Sequence, residues 1–216
     1  MTLDEIIEAI GVKPFYQEPA GVIYCADCLD ILPRIPDKAI DLVLTDPPYG
    51  ININKSNRLS VSRGRGGEDW DGQKADPRIM SWILTFPMTA IIWGGNYYGL
   101  PAVRGFLIWD KLNDGRDFAD CEFAWTNIDM VARIFKIRPQ NMDGGKVHTT
   151  QKPVKLMTWC ISLDKSNPQI ILDPFLGSGT TAVAAKQLGR RFIGIEIEEK
   201  YCQIAVERLR QEVLPL

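Results

Sequence analysis

The chain has 216 residues, 45% of them apolar, with 25 basic and 27 acidic side chains and a formal net charge of −2. That length suits one substantial α/β domain burying roughly 70% of the surface its unfolded form would expose, so the core needs no disulfides. The near-neutral balance excludes a surface coated in basic patches but leaves room for a local one that meets nucleic acid; no apolar run reaches the length of a membrane span, and the short acidic start MTLDEIIEAIG is unlike a signal peptide.

In chain order, VIYCAD (22–27) reads as the first strand. It carries Cys25 and Cys28 in a C-x-x-C, but no second pair follows at ligand spacing and the only histidine is His148, which speaks against zinc and against a Ser-His-Asp system. Five cysteines, an odd count without a signal peptide, suggest a reducing compartment. DLVLTD (41–46) is the next strand and stops abruptly at Asp46, Pro47, Pro48 and Tyr49. Residues 50–76, rich in Asn, Ser, Gly and Arg, follow as one long irregular stretch, a length that is usually functional or disordered. TAIIWGG (89–95), GFLIWDK (105–111) and DMVARIF (129–135) read as further strands. PVKLMTWCISL reads as a helix with Pro153 at its first position. QIILD (169–173) is a strand, TTAVAAKQLG a helix ending at Gly189, RRFIGIE (190–196) a strand, and EEKYCQIAVERLRQE a helix with Tyr201, Cys202, Ile204, Ala205 and Leu209 on one face. Several strands are apolar on both faces, as expected when helices cover both sides of a mostly parallel sheet. The expected architecture is a single doubly wound α/β domain over residues 1–216.

Two turns carry the chemistry. The first is Asp46-Pro47-Pro48-Tyr49, at the carboxyl edge of the sheet where such folds bind ligands. The Asp46 carboxylate and the Pro47 carbonyl can both accept hydrogen bonds from one amino group, proline stiffens the turn, and Tyr49 offers a flat face for a ring. Two acceptors beside a stacking plate suit an extruded nucleobase with an exocyclic amine; the plainer alternative is a rigid strand end with Asp46 as a local cap. The second is the strand–turn–helix QIILDPFLGSGTTAVAAKQLG, in which Gly177-x-Gly179-x-x-Ala182 fits a nucleotide-binding pattern, with Glu196 ending the next strand 17 residues after Gly179. A tight βα turn without a ligand is the plainer alternative here. Asp173, Pro174, Phe175 and Leu176 stand between strand and glycines. An acid at that strand end would repel a pyrophosphate but can pair with an α-amino group, which favours S-adenosylmethionine over NAD.

TDPPY followed far downstream by DPFLGSGTT resembles the amino-methylating DNA methyltransferases, which act on N6 of adenine or N4 of cytosine. The order of the two motifs is similar to their β class, and IIWGGNYYG and FADCEFAWTN resemble short members common in phages and prophages. The resemblance covers roughly residues 20–210. It implies a Rossmann-like S-adenosylmethionine-dependent methyltransferase fold, with Asp46, Pro47, Pro48 and Tyr49 as catalytic residues. It further implies cofactor contacts from Asp27 and Cys28 in CADCLD, from Asp46, from Lys152 in HTTQKPVKLM, and from Asp173, Phe175, Gly177, Ser178, Gly179, Thr180 and Glu196. Thr149 departs from the family, which usually has proline there.

The expected reaction is methylation of adenine N6 in double-stranded DNA with the target base flipped out, using S-adenosylmethionine and no metal. Asp in the first motif position is commoner among adenine enzymes and Ser among cytosine-N4 enzymes. The rivals are N4-cytosine, RNA or protein-glutamine methylation by the same chemistry, an NAD-linked oxidoreductase and a non-catalytic DNA-binding remnant. Lys55, Arg58, Arg63 and Arg65, in a stretch without acids directly after Tyr49, are expected to meet DNA phosphates, although a solvated loop with incidental charge is the alternative. A second basic group, Lys136, Arg138, Lys146 and His148, falls where the β class usually recognises its target; at about 136–150 that region is very short. The resemblance also implies a prokaryotic or phage-infected cytoplasm, with a homodimer and a cognate restriction nuclease as candidate partners and no membrane.

Overall fold

A computed structural model describes residues 1–50, 72–86, 88–113, 119–139 and 151–211. Their centre is a nine-stranded sheet in the order β1-β2-β9-β8-β3-β4-β6-β5-β7. The strands are β1 (Tyr16–Glu18), β2 (Gly21–Cys25), β3 (Leu42–Thr45), β4 (Thr89–Trp93), β5 (Phe106–Asp110), β6 (Cys121–Thr126), β7 (Arg133–Lys136), β8 (Ile170–Asp173) and β9 (Arg191–Glu196). Strands β2, β9, β8, β3 and β4 run parallel to one another, β5 and β7 are parallel, and β1 and β6 are antiparallel to their neighbours. The sheet is therefore mostly parallel, with reversed strands confined to the two sides of the parallel block.

Helices cover both faces. On one face lie α1 (Leu3–Ile10), α2 (Cys28–Ile31) and α3 (Pro77–Thr85), packing Leu3, Ile6, Ile10, Ile79 and Ile83 on Val22, Val43, Ile92 and Leu172. On the other lie α4 (Val154–Leu163), α5 (Thr180–Gln187) and α6 (Glu199–Arg210), packing Leu156, Cys160, Ala184, Ala205 and Leu209 on Ile23, Leu44, Ile91, Ile171 and Phe192. Adjacent strand residues thus contribute to opposite cores, which is why β3 and β8 are apolar at every buried position before their terminal polar residue.

The structure adds elements the sequence reading left out. Helix α1 begins at Thr2, whose hydroxyl accepts from the Glu5 amide while the Glu5 carboxylate accepts from the Thr2 amide, and ends at the left-handed Gly11. Helix α3 begins after Asp76, which accepts from the Arg78 amide at 2.8 Å, with Pro77 in the first turn. β1 and β6 were not expected as strands, whereas the extended stretch expected from Asp129 is a strand only from Arg133. Pro153 stands at the N-cap of α4, one position outside the expected helix start, and its carbonyl accepts from the Leu156 and Met157 amides. On α6 the buried face is Cys202, Ala205, Val206 and Leu209, with Tyr201 and Ile204 only partly covered.

The functional consequence lies in the strand order. From β8 the chain goes to β9 on one side, while β3 and β4 lie on the other. The crevice between the carboxyl ends of β8 and β3 is therefore a topological switch point, the usual ligand position in an open α/β sheet.

Candidate active site

Two strand ends meet at that crevice. Asp173, the last residue of β8, is 4% exposed and accepts from the Thr45 hydroxyl at the end of β3 (2.7 Å) and from the Phe175 amide (3.1 Å). Burial raises its carboxyl pKa to about 6 against the opposing hydrogen bonds from Thr181 and Thr45. Beside it opens a cavity of about 230 Å³. Asp46, Pro48 and Lys152 line one side; Asp173, Phe175, Gly177, Ser178, Thr180 and Glu196 line the other.

The glycine turn is held largely by backbone. Gly177 and Gly179 both have left-handed φ, +54° and +83°, and a Cβ on Gly179 would stand 2.7 Å from that of Ala205 on α6. Only glycine joins strand to helix here without strain or collision. The Leu176 amide donates to the Ile195 carbonyl. The Glu196 carboxylate accepts from the Gly177 amide through one oxygen and from the Glu198 amide through the other, both at 2.8 Å. Burial raises the pKa of Glu196, opposed by these backbone donors. The Ile197 amide acts on this carboxylate as well; of a carboxylate's roughly four acceptor positions, about one is left for a ligand hydroxyl. From α6, one guanidinium nitrogen of Arg208 donates to the Ser178 carbonyl (2.6 Å), the Ser178 hydroxyl (3.1 Å) and the Thr180 hydroxyl (3.2 Å).

The other side is built from charge. Asp46 follows β3, and its side chain is 22% exposed. One carboxylate oxygen accepts from the Tyr49 hydroxyl and the other from the Lys152 ammonium. Lys152, 4% exposed, also reaches Glu122 on β6 at 3.0 Å, and Glu122 pairs with Lys111 at 2.6 Å. Burial works against the charge on Lys152, but Asp46 and Glu122 outweigh it and hold its pKa above the ordinary lysine value. Burial likewise opposes the Glu122 carboxylate, yet Lys152 and Lys111 together bring its pKa down to about 2. At Asp46 burial wins: it raises the pKa, and Glu122 adds to it, against Lys152 and the Tyr49 hydroxyl. Burial, and then Asp46, push the Tyr49 phenol well above its usual value. The Tyr49 ring stacks on Tyr97 at 5.1 Å and lies against Gly94, and Tyr98 donates its hydroxyl to the Pro48 carbonyl.

The structure thus brings together Asp46, Pro48, Tyr49, Lys152 and the glycine turn, and it separates Asp27 and Cys28 from them. Asp27 is exposed and caps α2, accepting from the Leu29 amide at 2.9 Å. It stands two residues past Cys25, which pairs with Glu196, so it shares the sheet edge without lining the cavity. Cys28 is buried in a hydrophobic core, its thiol pushed up to about 12 by burial, and its side chain does not reach the cavity. Gly179 supports the turn rather than lining the cavity, and Pro47 is buried behind the lining. Tyr49 offers no open plate on the face that meets Tyr97. Lys55, Arg58, Arg63 and Arg65, with Lys146 and His148, lie outside the described residues; Lys136 is described and pairs with Asp110 at 3.5 Å.

Glu122, Lys111, Tyr97 and Arg208 were not anticipated. The signal for Glu122 was present: it is a lone acid inside the apolar alternation CEFAWT, and a half-buried acid in a strand demands a cation. Among the described residues no three His, Cys, Asp or Glu side chains are grouped to hold a metal, and no helix is long and apolar enough to cross a membrane.

Residues 103–207 match the sequence profile of a DNA methylase family that covers N6 and N4 amino-methyltransferases. The chain is 30% identical to the type II methyltransferase M.HinfI of Haemophilus influenzae, over 88% of this chain and 68% of that one. It is 28% identical to the type II methyltransferase M2.LlaDCHI of Lactococcus lactis subsp. cremoris, over 92% and 93%. Among solved structures, the M1.HpyAVI–SAM complex superposes with a TM-score of 0.58 at 25% identity, over 87% of this chain and 98% of that one.

Proposed function

From its place in the DNA methylase family, to which this chain belongs, we propose that this S-adenosylmethionine-dependent DNA methyltransferase uses the N6 amino group of adenine as acceptor and Asp46, Pro47, Pro48 and Tyr49 as its catalytic turn. The observation that carries the reading is the convergence of two strand ends at one switch point, Asp173 with the glycine turn on one side and Asp46 on the other, 127 positions apart in the chain and facing one cavity.

The residues fit the methyl donor. Asp173 is a buried acid for an ammonium, Glu196 has an acceptor position left for a ribose hydroxyl, and Gly177 keeps the cavity wall free of a Cβ. When bound, the cofactor supplies an activated sulfonium methyl group and leaves as the thioether. The protein's own work is alignment and acceptance. Adenine's amine is a poor nucleophile because its lone pair is delocalised into the ring. Asp46 and the Pro47 carbonyl accept its two hydrogens, favouring a pyramidal nitrogen whose lone pair would take the methyl group that the bound cofactor would supply, one hydrogen being given up as a proton along the hydrogen bonds already made. Alignment alone supplies up to ~7–11 kcal/mol. Tyr97 occupies one face of the Tyr49 ring. Extrusion costs a few kcal/mol, and stacking on Tyr49 returns about 1–3 kcal/mol. Lys55, Arg58, Arg63 and Arg65 follow the catalytic turn directly and meet the phosphates around the flipped nucleotide, with 136–150 as the target-reading segment of a single catalytic domain. On this reading the enzyme works in a prokaryotic or phage-infected cytoplasm, with a homodimer and a cognate nuclease as candidate partners.

The test is transfer of tritiated methyl groups to DNA, RNA and protein, followed by nucleoside analysis. N6-methyladenine in DNA is expected; N4-methylcytosine would overturn the adenine assignment, and label in RNA or protein alone would overturn the substrate class.

A further inference from the structure

In the free protein both oxygens of Asp46 are taken, one by the Tyr49 hydroxyl and one by the Lys152 ammonium. If Asp46 is to receive the target amine, the ammonium must have somewhere else to go. It is 4% exposed, and moving a charge of this kind without a partner costs several kcal/mol. The structure supplies one destination. Glu122 projects from β6, a strand far from either motif, and its carboxylate already lies 3.0 Å from the same ammonium.

We propose that Glu122 is a positioning residue for methyl transfer: it takes the Lys152 ammonium from Asp46 when the target amine arrives, leaving that Asp46 oxygen free to accept the amine hydrogen. The inference rests on the reading of Asp46 as the base-binding acid. Nothing in the two motifs assigns a role to Glu122 or to Lys111.

The geometry supports a transfer rather than a static bridge. An ammonium has three donors; one is given to Asp46, while the Glu122 oxygen 3.0 Å away accepts no hydrogen bond and stands ready as a second acceptor. The same ammonium lies 6.0 Å from the Tyr49 ring centre and 5.8 Å from that of Trp93, so aromatic faces surround it along the way. Glu122 is itself fixed from behind: Lys111 at the end of β5 pairs with it at 2.6 Å and lies 5.1 Å over the Trp109 ring. The four charges, two acids and two cations, sum to zero, and a shift of Lys152 between the acids leaves that sum unchanged. Without Glu122 the only carboxylate left to Lys152 in this cluster is Asp46. The acid would then be better ionised and worse placed, since its outer oxygen would stay blocked.

That combination has a signature a merely structural bridge lacks. The titratable groups facing Asp46 are Lys152 ahead of α4, Glu122 on β6, Tyr49 in its own turn and Asp173 on β8; Lys111, just after β5, and Tyr98 stand behind Glu122 and Tyr49. Removing the negative charge of Glu122 strengthens the hold of Lys152 on ionised Asp46, so the acid limb of the rate profile moves to lower pH. Removing the positive charge of Lys111 acts oppositely and moves it to higher pH.

The experiment compares single-turnover methyl transfer to DNA from about pH 5 to pH 9 for the parent, Glu122→Gln and Lys111→Gln, with cofactor affinity measured by calorimetry on each. Glu122→Gln is expected to lower the plateau rate roughly 10²-fold, the scale of a 1 Å misplacement, with cofactor affinity nearly unchanged and the acid limb displaced downward. Lys111→Gln is expected to displace the limb upward, and it decides the matter by itself should Glu122→Gln not fold. Limbs that stay in place, or that move in the same direction, overturn the inference. A parent protein that methylates no DNA overturns the functional reading and the inference with it, whereas an active parent with unmoved limbs overturns the inference alone.

Discussion

At the cofactor side of the cavity, Gly177 to Thr180 are held by backbone carbonyls, the Glu196 carboxylate and the half-buried Arg208 guanidinium, all between β8 and α6. At the base side, Asp46 is held by side chains alone, from Tyr49 three residues away and Lys152 at a separation of 106. The first is fixed by chain geometry, its two left-handed glycines, with Glu196 and Arg208 each holding one part of the turn. The second is poised because its shape depends on which of two acids a lysine prefers. Binding strength should therefore be set at the glycine turn, and rate and its pH dependence at the aspartate turn.

The largest expected effect tests that division directly. Asp46→Ala should lower methyl transfer by about 10²–10⁴-fold, the range for losing a positioned proton acceptor, while cofactor affinity measured by calorimetry stays close to the parent value. Near-normal turnover would remove the proposed mechanism; a large loss of cofactor affinity would show that the two sides are not separable.

Next in size, Lys152→Met leaves Asp46 and Glu122 facing each other without their shared cation. Breaking a buried pair on one side costs about 3–5 kcal/mol; with both acids about a quarter exposed, a loss of about 3 kcal/mol near neutral pH is expected. In the parent, the Glu122 carboxyl is held down to about 2 from its ordinary 4.5. A depressed folded pKa contributes stability in full above the unfolded value, and that contribution disappears as pH falls through the folded one. In the variant Glu122 keeps Lys111, but Asp46, already raised by burial, loses the cation that opposed that rise, so a penalty is present at neutral pH and relieved by protonation. The gap between the two proteins should shrink on acidification. Urea titrations near pH 7 and near pH 4 measure it, and a gap that stayed constant would assign Lys152 a packing role only.

The cofactor side is sharpened by its two glycines. Gly179→Ala places a methyl 2.7 Å from the Cβ of Ala205 in a left-handed backbone, so strain and overpacking combine to a loss of about 2 kcal/mol in stability. Gly177→Ala meets nothing within 4 Å and should cost about 1 kcal/mol from the left-handed backbone alone. Its methyl enters the cavity, so it should weaken cofactor binding more than Gly179→Ala does per unit of stability lost. Equal effects on both quantities would mean that the turn adjusts as a unit.

The same contrast explains what was legible in the sequence. The glycine turn could be read because every part of it except Arg208 lies in one contiguous stretch, and strand, turn, helix and Glu196 each leave a local mark. Asp46 and its prolines were legible for the same reason. The partners of Asp46 were not: Glu122 acquires its role from the pairing of β6 between β4 and β5, and nothing in CEFAWT states which cation it faces. Lys152 was noted only through resemblance. Helix α1 was overlooked although Thr2 and Glu5 form a capping box, because the segment was weighed as a leader rather than as structure. Cys28 is the opposite case: its side chain belongs to the core, so any contact it makes with the cofactor falls to its backbone.

Asp27 gives the smallest expected effect and the finest test of where the cofactor side ends. Its carboxylate caps α2, so Asp27→Ala removes both a cap and a charge and cannot tell one from the other. Asp27→Asn keeps the cap, since asparagine serves at that position as well as aspartate, and removes only the charge. If Asp27 meets the cofactor's adenosine, as its place past the end of β2 beside Glu196 favours, the exchange should weaken cofactor binding by roughly 1 kcal/mol, the usual net worth of one hydrogen bond, with no change in thermal stability. Unchanged affinity in Asp27→Asn together with a stability loss in Asp27→Ala would make Asp27 a helix cap and nothing more. The cofactor side would then end at Glu196, within the unit of chain that the glycine turn already defines.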